Sequence, residues 1–241
     1  MECLKFNLNG RMAHFKNPEN NIYIEFTFNN IHKPGLLGIL GAVLGLDGRN
    51  QKEKNGCIEY FEKLKDIKVS IVPQNLFEKF VDEINNSTGF ANDGMVQQIR
   101  REYIKNPSWD IYLIKNNIDN KIWEELKENI LNGISVYPLG LGGKKNSAKI
   151  INAELINIEN AKLSNSMSID SLILSDDVLC VGSKLGNKFD FRFKLEEYLP
   201  VSLNEIGLYE KSKILFTGNK VELKNNNNVY LTDNNKVLYF I

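Results

Sequence analysis

IHKPGLLGILGAVLGLDG, residues 31–48, is the most strongly patterned stretch of this chain. Its large apolar residues recur at the three-to-four spacing of a buried helix face, and Pro34 suits a first helical turn, where a missing N–H costs no hydrogen bond. Glycines interrupt the pattern at positions 35, 38, 41 and 45. An interior glycine costs about 1 kcal/mol relative to alanine. We therefore expect a close neighbour at the glycine face, either a tightly packed element or the backbone of a ligand.

Two extended segments precede this helix. Residues 3–9 and 22–28 alternate between apolar and polar side chains, which is typical of half-buried strands. Basic and aromatic residues interleave in the turn after the first segment and at the helix entry: Arg11, His14, Phe15, Lys16, His32 and Lys33. Such a mixture suits single-stranded RNA, because phosphates pair with cations and bases stack on rings. The alternative for Phe15 is a place in the core.

In this order, the segments resemble the N-terminal signature of the CRISPR-associated protein five family, whose members hold the 5′ end of the guide RNA in type I Cascade complexes. The matching residues are Gly10, Ala13, Phe15, Pro18, Pro34, Gly35, Leu36, Gly38, Gly41, Ala42, Gly45 and Leu46. The resemblance implies a non-catalytic subunit that binds and caps the 5′ handle of crRNA in antiviral defence. Its partners would be the crRNA, the Cascade backbone and large subunits, and target DNA through the complex. Gly35 and Gly38 are then sites of RNA approach.

The composition limits the alternatives. The chain has 241 residues, 42% of them hydrophobic, with 30 basic and 30 acidic side chains and a formal net charge of zero. This balance counts against bulk binding of duplex DNA but allows a local basic groove. The three cysteines are far apart and form no metal-binding or disulfide pattern. With no predicted signal peptide or transmembrane segment, we expect a cytoplasmic protein with buried, reduced cysteines, no metal and no cofactor.

Strands and helices alternate over residues 1–150 with the spacing of a ferredoxin-like domain, the topology of RNA-recognition modules. The pattern predicts a helix at 58–64, strands at 67–71 and 109–114, and a helix between the N-cap Asp119 and Gly133. Residues 151–241 are mostly strand-like and predict a β-rich C-terminal region. The fold class is therefore α+β, with a ferredoxin-like, RAMP-type N-terminal domain.

An excursion interrupts this domain at about residues 85–108. Its first part has loop composition, and MVQQIRREYI at 95–104 predicts a short amphipathic helix. The cations and the aromatic residue on this segment are RNA-binding candidates: Arg100, Arg101, Tyr103 and Lys105. The alternative is a solvated helix face. The resemblance implies a thumb that clamps the guide, and this region looks closest to type I-B members.

A second glycine-rich segment follows a predicted short strand, ISVYP at 134–138. Residues 139–146, LGLGGKKN, combine glycines that free backbone N–H groups with two lysines that suit an anion. The P-loop pattern is absent, and the alternative is a flexible hairpin tip. The family carries a glycine-rich loop late in its ferredoxin-like unit, which YPLGLGG resembles. The RNA-binding candidates here are Tyr137, Gly142, Gly143, Lys144 and Lys145.

Two other functions remain open from the sequence. A metal-independent endoribonuclease that processes pre-crRNA, as in the type I-C branch, would use histidine for acid–base chemistry, and the chain has only His14 and His32. We predict no catalytic residue, because no Lys–His pair occurs in the middle of the chain. A ferredoxin-like scaffold without RNA contact is the third alternative.

Overall fold

A computed structural model describes residues 1–19, 23–48, 58–76, 78–88, 95–143, 145–162, 166–182 and 193–241. It has a mixed α+β fold with mostly strands. The strands are β1 Glu2–Gly10, β2 Met12–Ala13, β3 Ile24–Glu25, β4 Lys68–Pro73, β5 Glu78–Thr88, β6 Met95–Lys105, β7 Ser108–Ile114, β8 Ala148–Asn160, β9 Ile173–Leu174, β10 Val178–Val181, β11 Lys194–Leu203, β12 Tyr209–Thr217, β13 Val221–Leu223, β14 Val229–Thr232 and β15 Val237–Tyr239. The helices are α1 Lys33–Leu44, α2 Glu59–Leu64 and α3 Asn120–Leu131.

A six-stranded sheet forms the centre of the molecule, with the spatial order β15-β14-β8-β1-β7-β4. The neighbouring strands are antiparallel, and Phe6 of β1 lies opposite Ile111 of β7. Along the chain, β1, α1, β4, β7, α3 and β8 alternate as strand, helix, strand, strand, helix, strand. The predicted division at residue 150 falls within β8, which pairs with both β1 and β14.

Both faces of this sheet are covered by apolar side chains. Leu4, Phe6 and Leu8 are fully buried on the face that packs against α1 and α3, which confirms the predicted alternation of residues 3–9. Cys3 and Tyr112 belong to a second cluster on the other face. Fully burying one large apolar side chain stabilises the fold by roughly 1.5–3 kcal/mol. These two layers therefore fix the sheet on which the helices and loops are mounted.

The glycines of α1 have a packing partner in α2. A Cβ atom on Gly41 would lie 2.5 Å from the Cβ atom of Tyr60, whereas a Cβ on Gly38 would lie 3.6 Å from the Tyr60 ring. Gly45 ends the helix with a φ of 73°, in the left-handed region. Tight packing, one of the two explanations offered by the sequence, therefore accounts for Gly41. Gly38 has room for a side chain.

Alanine substitution at these two positions is expected to have opposite effects. Gly41→Ala should lower the free energy of unfolding by about 1–3 kcal/mol, because overpacking against Tyr60 outweighs the gain in helix propensity. Gly38→Ala should leave it unchanged or raise it by up to about 1 kcal/mol. Urea unfolding of both variants measures the difference. An equal rise in both midpoints would contradict the packing explanation.

The predicted helix at 95–104 is wrong. Residues 95–105 form β6, which pairs with β5 so that Ile99 lies opposite Ile84 and Tyr103 opposite Phe80. Met95, Ile99 and Tyr103 are spaced four residues apart, and an even spacing also fits one face of a strand. The described part of the excursion is thus a pair of long antiparallel strands, Glu78–Thr88 and Met95–Lys105, called the β5–β6 hairpin below.

Two predicted strands are also absent or shortened in the described residues. In ISVYP, Val136 N–H donates to the Val43 carbonyl and Tyr137 N–H to the Ala42 carbonyl, so the segment caps the C-terminal end of α1 instead of pairing with a strand. Of the predicted strand at 22–28, residues 23–28 are described, and within them the strand is limited to Ile24–Glu25.

The helices at 58–64 and 119–133 and the strands at 67–71 and 109–114 are confirmed within a few residues. Asp119 caps α3 through two backbone N–H groups, and Gly133 has a φ of 66°. Cys3 is buried as expected, but Cys180 is exposed, and Cys57 lies outside the described residues. Among the described helices, none is long and apolar enough to cross a membrane.

Candidate nucleic-acid interface

A cleft of about 600 Å³ opens between the glycine face of α1 and the glycine-rich loop at 139–146. The α1 wall contributes its first turn and the side chains beside Gly38. The opposite wall contributes the loop, the residues after β2 and part of the β11–β12 hairpin. The cleft brings together half of the predicted binding residues, which are His14, Lys16, His32, Gly35, Gly38, Tyr137, Gly142 and Gly143.

The glycine-rich loop is closed on itself and attached to the chain after β2. Leu141 N–H donates to the Asn146 carbonyl at 2.7 Å, and Asn146 N–H donates to the Gly143 carbonyl at 3.0 Å. The Leu141 carbonyl accepts from the His14 N–H at 3.0 Å. Gly142 has a φ of 79°, and a Cβ there would lie 1.9 Å from the His14 carbonyl oxygen. The loop is therefore a hairpin held against its neighbour, and Gly142 is the point of closest approach.

The His14 imidazole links the cleft to the β5–β6 hairpin. Its Nδ1 atom lies 2.8 Å from the Glu102 carbonyl, which can only accept, so Nδ1 carries the hydrogen. The ring packs at 5.6 Å from the Tyr103 ring. Burial lowers the pKa of His14 below its ordinary value. His14 is therefore a neutral side chain with a positional role.

His32 is the N-cap of α1. Its Nδ1 atom accepts a hydrogen bond from the Gly35 N–H at 3.0 Å. The ring is surrounded by three aromatic rings at centroid distances of 5.1–5.8 Å, those of Phe15, Phe28 and Tyr209. Burial lowers the pKa of His32 to about 3, so the imidazole is neutral at physiological pH. Phe15 is itself buried against Trp109, which is the core alternative for that residue.

The two lysines near the helix entry point to different places. Lys16 lines the cleft, and its ammonium group pairs with the Glu25 carboxylate at 2.5 Å. The Lys33 ammonium donates to the Ile241 backbone oxygen at 3.2 Å, and burial lowers its pKa. Lys33 therefore links α1 to Ile241, just after β15, and does not line the cleft.

The cations of the hairpin are paired with carboxylates. Arg100 contacts Glu83 at 2.7 Å and Lys105 contacts Glu78 at 2.9 Å, both across the hairpin. Arg101 reaches Glu25 of β3 at 2.5 Å. Exposed pairs of this kind contribute only about 0–1 kcal/mol, so a phosphate can compete for the exposed ones. Tyr103 is buried and stacks on Phe80.

Two of the predicted cations are exposed without a partner in the part of the chain that the structure describes. Lys145 projects from the glycine-rich loop, and Arg11 follows β1, where its backbone carbonyl accepts from the Asn106 N–H. Lys144 lies outside the described residues.

Three cleft residues were missed by sequence reasoning. Tyr60 lies over Gly38 and Gly41, and Leu203 and Tyr209 approach from the C-terminal hairpin. The glycine face of α1 signals that some neighbour is needed but does not identify it. Leu203 and Tyr209 carry no local signal, because they are far from α1 in sequence. No cluster of three potential metal ligands occurs among the described residues.

No family model and no curated protein sequence matches this chain. Its fold is similar to that of a chain in the solved structure "CRISPR RNA-guided surveillance complex", with a TM-score of 0.54, 12% identity and coverage of 91% of each chain. A CRISPR protein from Archaeoglobus fulgidus matches with a TM-score of 0.49 and 10% identity, over 99% of this chain and 98% of that one. At these identities, the likeness to the surveillance-complex chain concerns the fold.

Proposed function

We propose that this chain is the CRISPR-associated protein five subunit of a type I Cascade complex, of the I-B-like kind, and that it binds and caps the 5′ handle of crRNA. The observation that carries the proposal is the cleft between the glycine face of α1 and the docked glycine-rich loop. Its volume of about 600 Å³ lies within the usual range of ligand sites.

The fold supports this assignment. The sheet order β8-β1-β7-β4, combined with the strand–helix–strand–strand–helix–strand chain order, supports the proposal of a ferredoxin-like unit of the RAMP type. The β5–β6 hairpin takes the place of the thumb-like excursion. The likeness to a chain of an RNA-guided surveillance complex agrees with a role in such an assembly.

The chemistry of the cleft suits single-stranded RNA. Gly35, Gly38 and Gly142 line the cleft with backbone alone, and Tyr60 and Tyr137 line it with rings suited to base stacking. Lys16 and Lys145 supply cations near its rim. The zero net charge fits a subunit that shares its RNA with the Cascade backbone and large subunits, and that contacts target DNA through the complex.

The two histidines support a binding role over the endoribonuclease alternative. A general acid or base works best with a pKa near the operating pH. Burial lowers the pKa of both His14 and His32, and the Nδ1 atom of each has a structural contact. We therefore propose that the chain does not cleave RNA.

The test incubates the purified protein, alone and co-expressed with its complex, with labelled repeat RNA in EDTA over a salt series. We expect retention without cleavage, with log affinity falling by about 0.7 per phosphate contact for each tenfold rise in salt. Cleavage lost on substitution of His14 or His32 would instead identify a processing enzyme. Failure to retain RNA in both preparations would leave the scaffold alternative.

Lys145 of the glycine-rich loop is expected to contribute one phosphate contact. Lys145→Ala should weaken RNA binding and reduce the salt slope by about 0.7, the value for one phosphate on a single strand. Lys121→Ala, on the exposed side of α3, is the matched control and should leave both quantities unchanged. Filter binding over the same salt series measures the slopes, and equal slopes for the two variants would remove Lys145 from the interface.

A further inference from the structure

Glu25 lies between two cations, Lys16 of the cleft lining and Arg101 of the β5–β6 hairpin. One carboxylate oxygen accepts from the Lys16 ammonium at 2.5 Å, and the other contacts the Arg101 guanidinium at 2.5 and 2.6 Å. The Glu25 side chain is 16% exposed, whereas those of Arg101 and Lys16 are 31% and 48% exposed. The carboxylate is thus the inner member of the group and the cations face outward.

The group joins the hairpin to the cleft. Lys16 lines the cleft directly, and Arg101 lies on β6, paired in register with Glu25. Two residues further along β6, the Tyr103 ring packs against His14, which also lines the cleft. A polyanion that follows the cleft towards the hairpin would therefore pass these two cations.

The Glu25 carboxylate occupies the position between Lys16 and Arg101 that a phosphate group would take. Carboxylates and phosphates are both oxyanions that arginine binds through paired N–H groups. Burial alone would raise the pKa of Glu25, but the hydrogen bonds from Lys16 and Arg101 outweigh it and the pKa is lowered. Glu25 is therefore charged at neutral pH and competes with any incoming anion.

We propose that Glu25 is a specificity-determining residue that occupies a phosphate site formed by Lys16 and Arg101. A phosphate of the handle displaces the carboxylate only when the neighbouring cleft contacts are made as well. RNA that lacks those contacts meets two cations whose combined charge Glu25 has already reduced from two to one, and it binds weakly. This inference rests on the proposed function. In the alternative, the group is an ordinary ion pair that ties β3 to β6, and its charge has no effect on RNA choice.

The test compares Glu25→Gln with Glu154→Gln in the co-expressed complex. Glu154 pairs with Lys5 at 2.6 Å across β1 and β8, neither residue lines the cleft or is an RNA-binding candidate, and the variant is the matched control. The probes are an RNA with the repeat-derived 5′ handle and a handle-free RNA of equal length. Glu25→Gln should raise affinity for the handle-free RNA by about three- to tenfold, the effect of about 1 kcal/mol. Its salt slope should steepen by about 0.7–1.4, for one or two added phosphates.

The control variant should bind both RNAs with an affinity within twofold of that of the wild type. A Glu25→Gln complex that melts at the wild-type temperature and binds handle-free RNA no more tightly than the wild type would overturn the inference. The proposed function would survive that result if the wild type still prefers the handle RNA. Without that preference in the wild type, the proposed function itself would fail.

A second variant covers the case in which Glu25→Gln does not fold. Lys16→Gln leaves the Glu25–Arg101 pair in place. It should lower affinity for the handle RNA and leave affinity for the handle-free RNA unchanged. An equal loss of affinity for both RNAs would show that Lys16 binds any RNA regardless of Glu25, and it would overturn the role assigned to Glu25.

Discussion

Gly142→Ala is expected to lower the free energy of unfolding by about 2–5 kcal/mol, because two costs add at this position. The φ of 79° lies in the left-handed region, which costs a residue with a side chain about 1–2 kcal/mol. The new Cβ would also lie 1.9 Å from the oxygen and 2.6 Å from the carbon of the His14 carbonyl. These are backbone atoms, so relief requires the loop to move away from His14.

Gly133→Ala is the matched control for this prediction. Gly133 has a φ of 66°, but nothing lies within 4 Å of the position its Cβ would take. Only the conformational cost of about 1–2 kcal/mol applies there. Urea unfolding of the two variants therefore isolates the contact with His14. Equal losses of stability would show that the loop does not dock against His14.

Gly142→Ala and Gly133→Ala also test whether the position of the glycine-rich loop matters for RNA binding. Movement of the loop would break the hydrogen bond from the His14 N–H to the Leu141 carbonyl, which is 3.0 Å long, and would displace one wall of the cleft. Gly142→Ala should therefore lose RNA retention at temperatures where it is still folded. Gly133→Ala, at the end of α3, should retain RNA like the wild type.

The elements that the sequence predicts well are those specified by neighbours in the chain. In β1, alternate residues show which face is buried, and in α3 the Asp119 cap and Gly133 lie at the two ends of one periodic run. The cap of α1 is also local, because His32 binds the N–H only three residues away, but it was not predicted, since histidine is not among the preferred N-cap residues. For these elements, period and capping residues agree with the final packing.

The elements that it predicts poorly depend on distant partners. In β6, a spacing of four residues fits both a helix and a strand, and only the pairing with β5 decides between them. Glu25 looks like one polar position in an alternating segment, and its contact with Arg101 spans 76 residues. The cleft itself was half predicted, since its glycines and basic residues form local motifs, while Tyr209 arrives from another strand pair.

The stability of the folded chain is expected to fall as the pH drops below about 6.5, the ordinary pKa of histidine. In the unfolded chain His32 takes up a proton near that pH, whereas burial holds its folded-state pKa at about 3. The contribution of neutral His32 is therefore fully present above pH 6.5 and is lost progressively towards pH 3. The slope is expected to approach about 1.4 kcal/mol per pH unit below pH 6.5, with a total loss of about 2–3 kcal/mol between pH 7.5 and 4.5.

His32→Asn isolates this effect, because asparagine is a good N-cap acceptor for the Gly35 N–H but does not titrate. The variant should be less stable than the wild type at pH 7.5, since the ring no longer fills the space among Phe15, Phe28 and Tyr209. Carboxylates titrate alike in both proteins and cancel in the difference. The gap in the free energy of unfolding should therefore shrink by about 2–3 kcal/mol between pH 7.5 and 4.5 in urea titrations. Parallel curves would mean that the pKa of His32 is about the same in the folded and unfolded chains, which would reopen its candidacy as an acid in RNA cleavage.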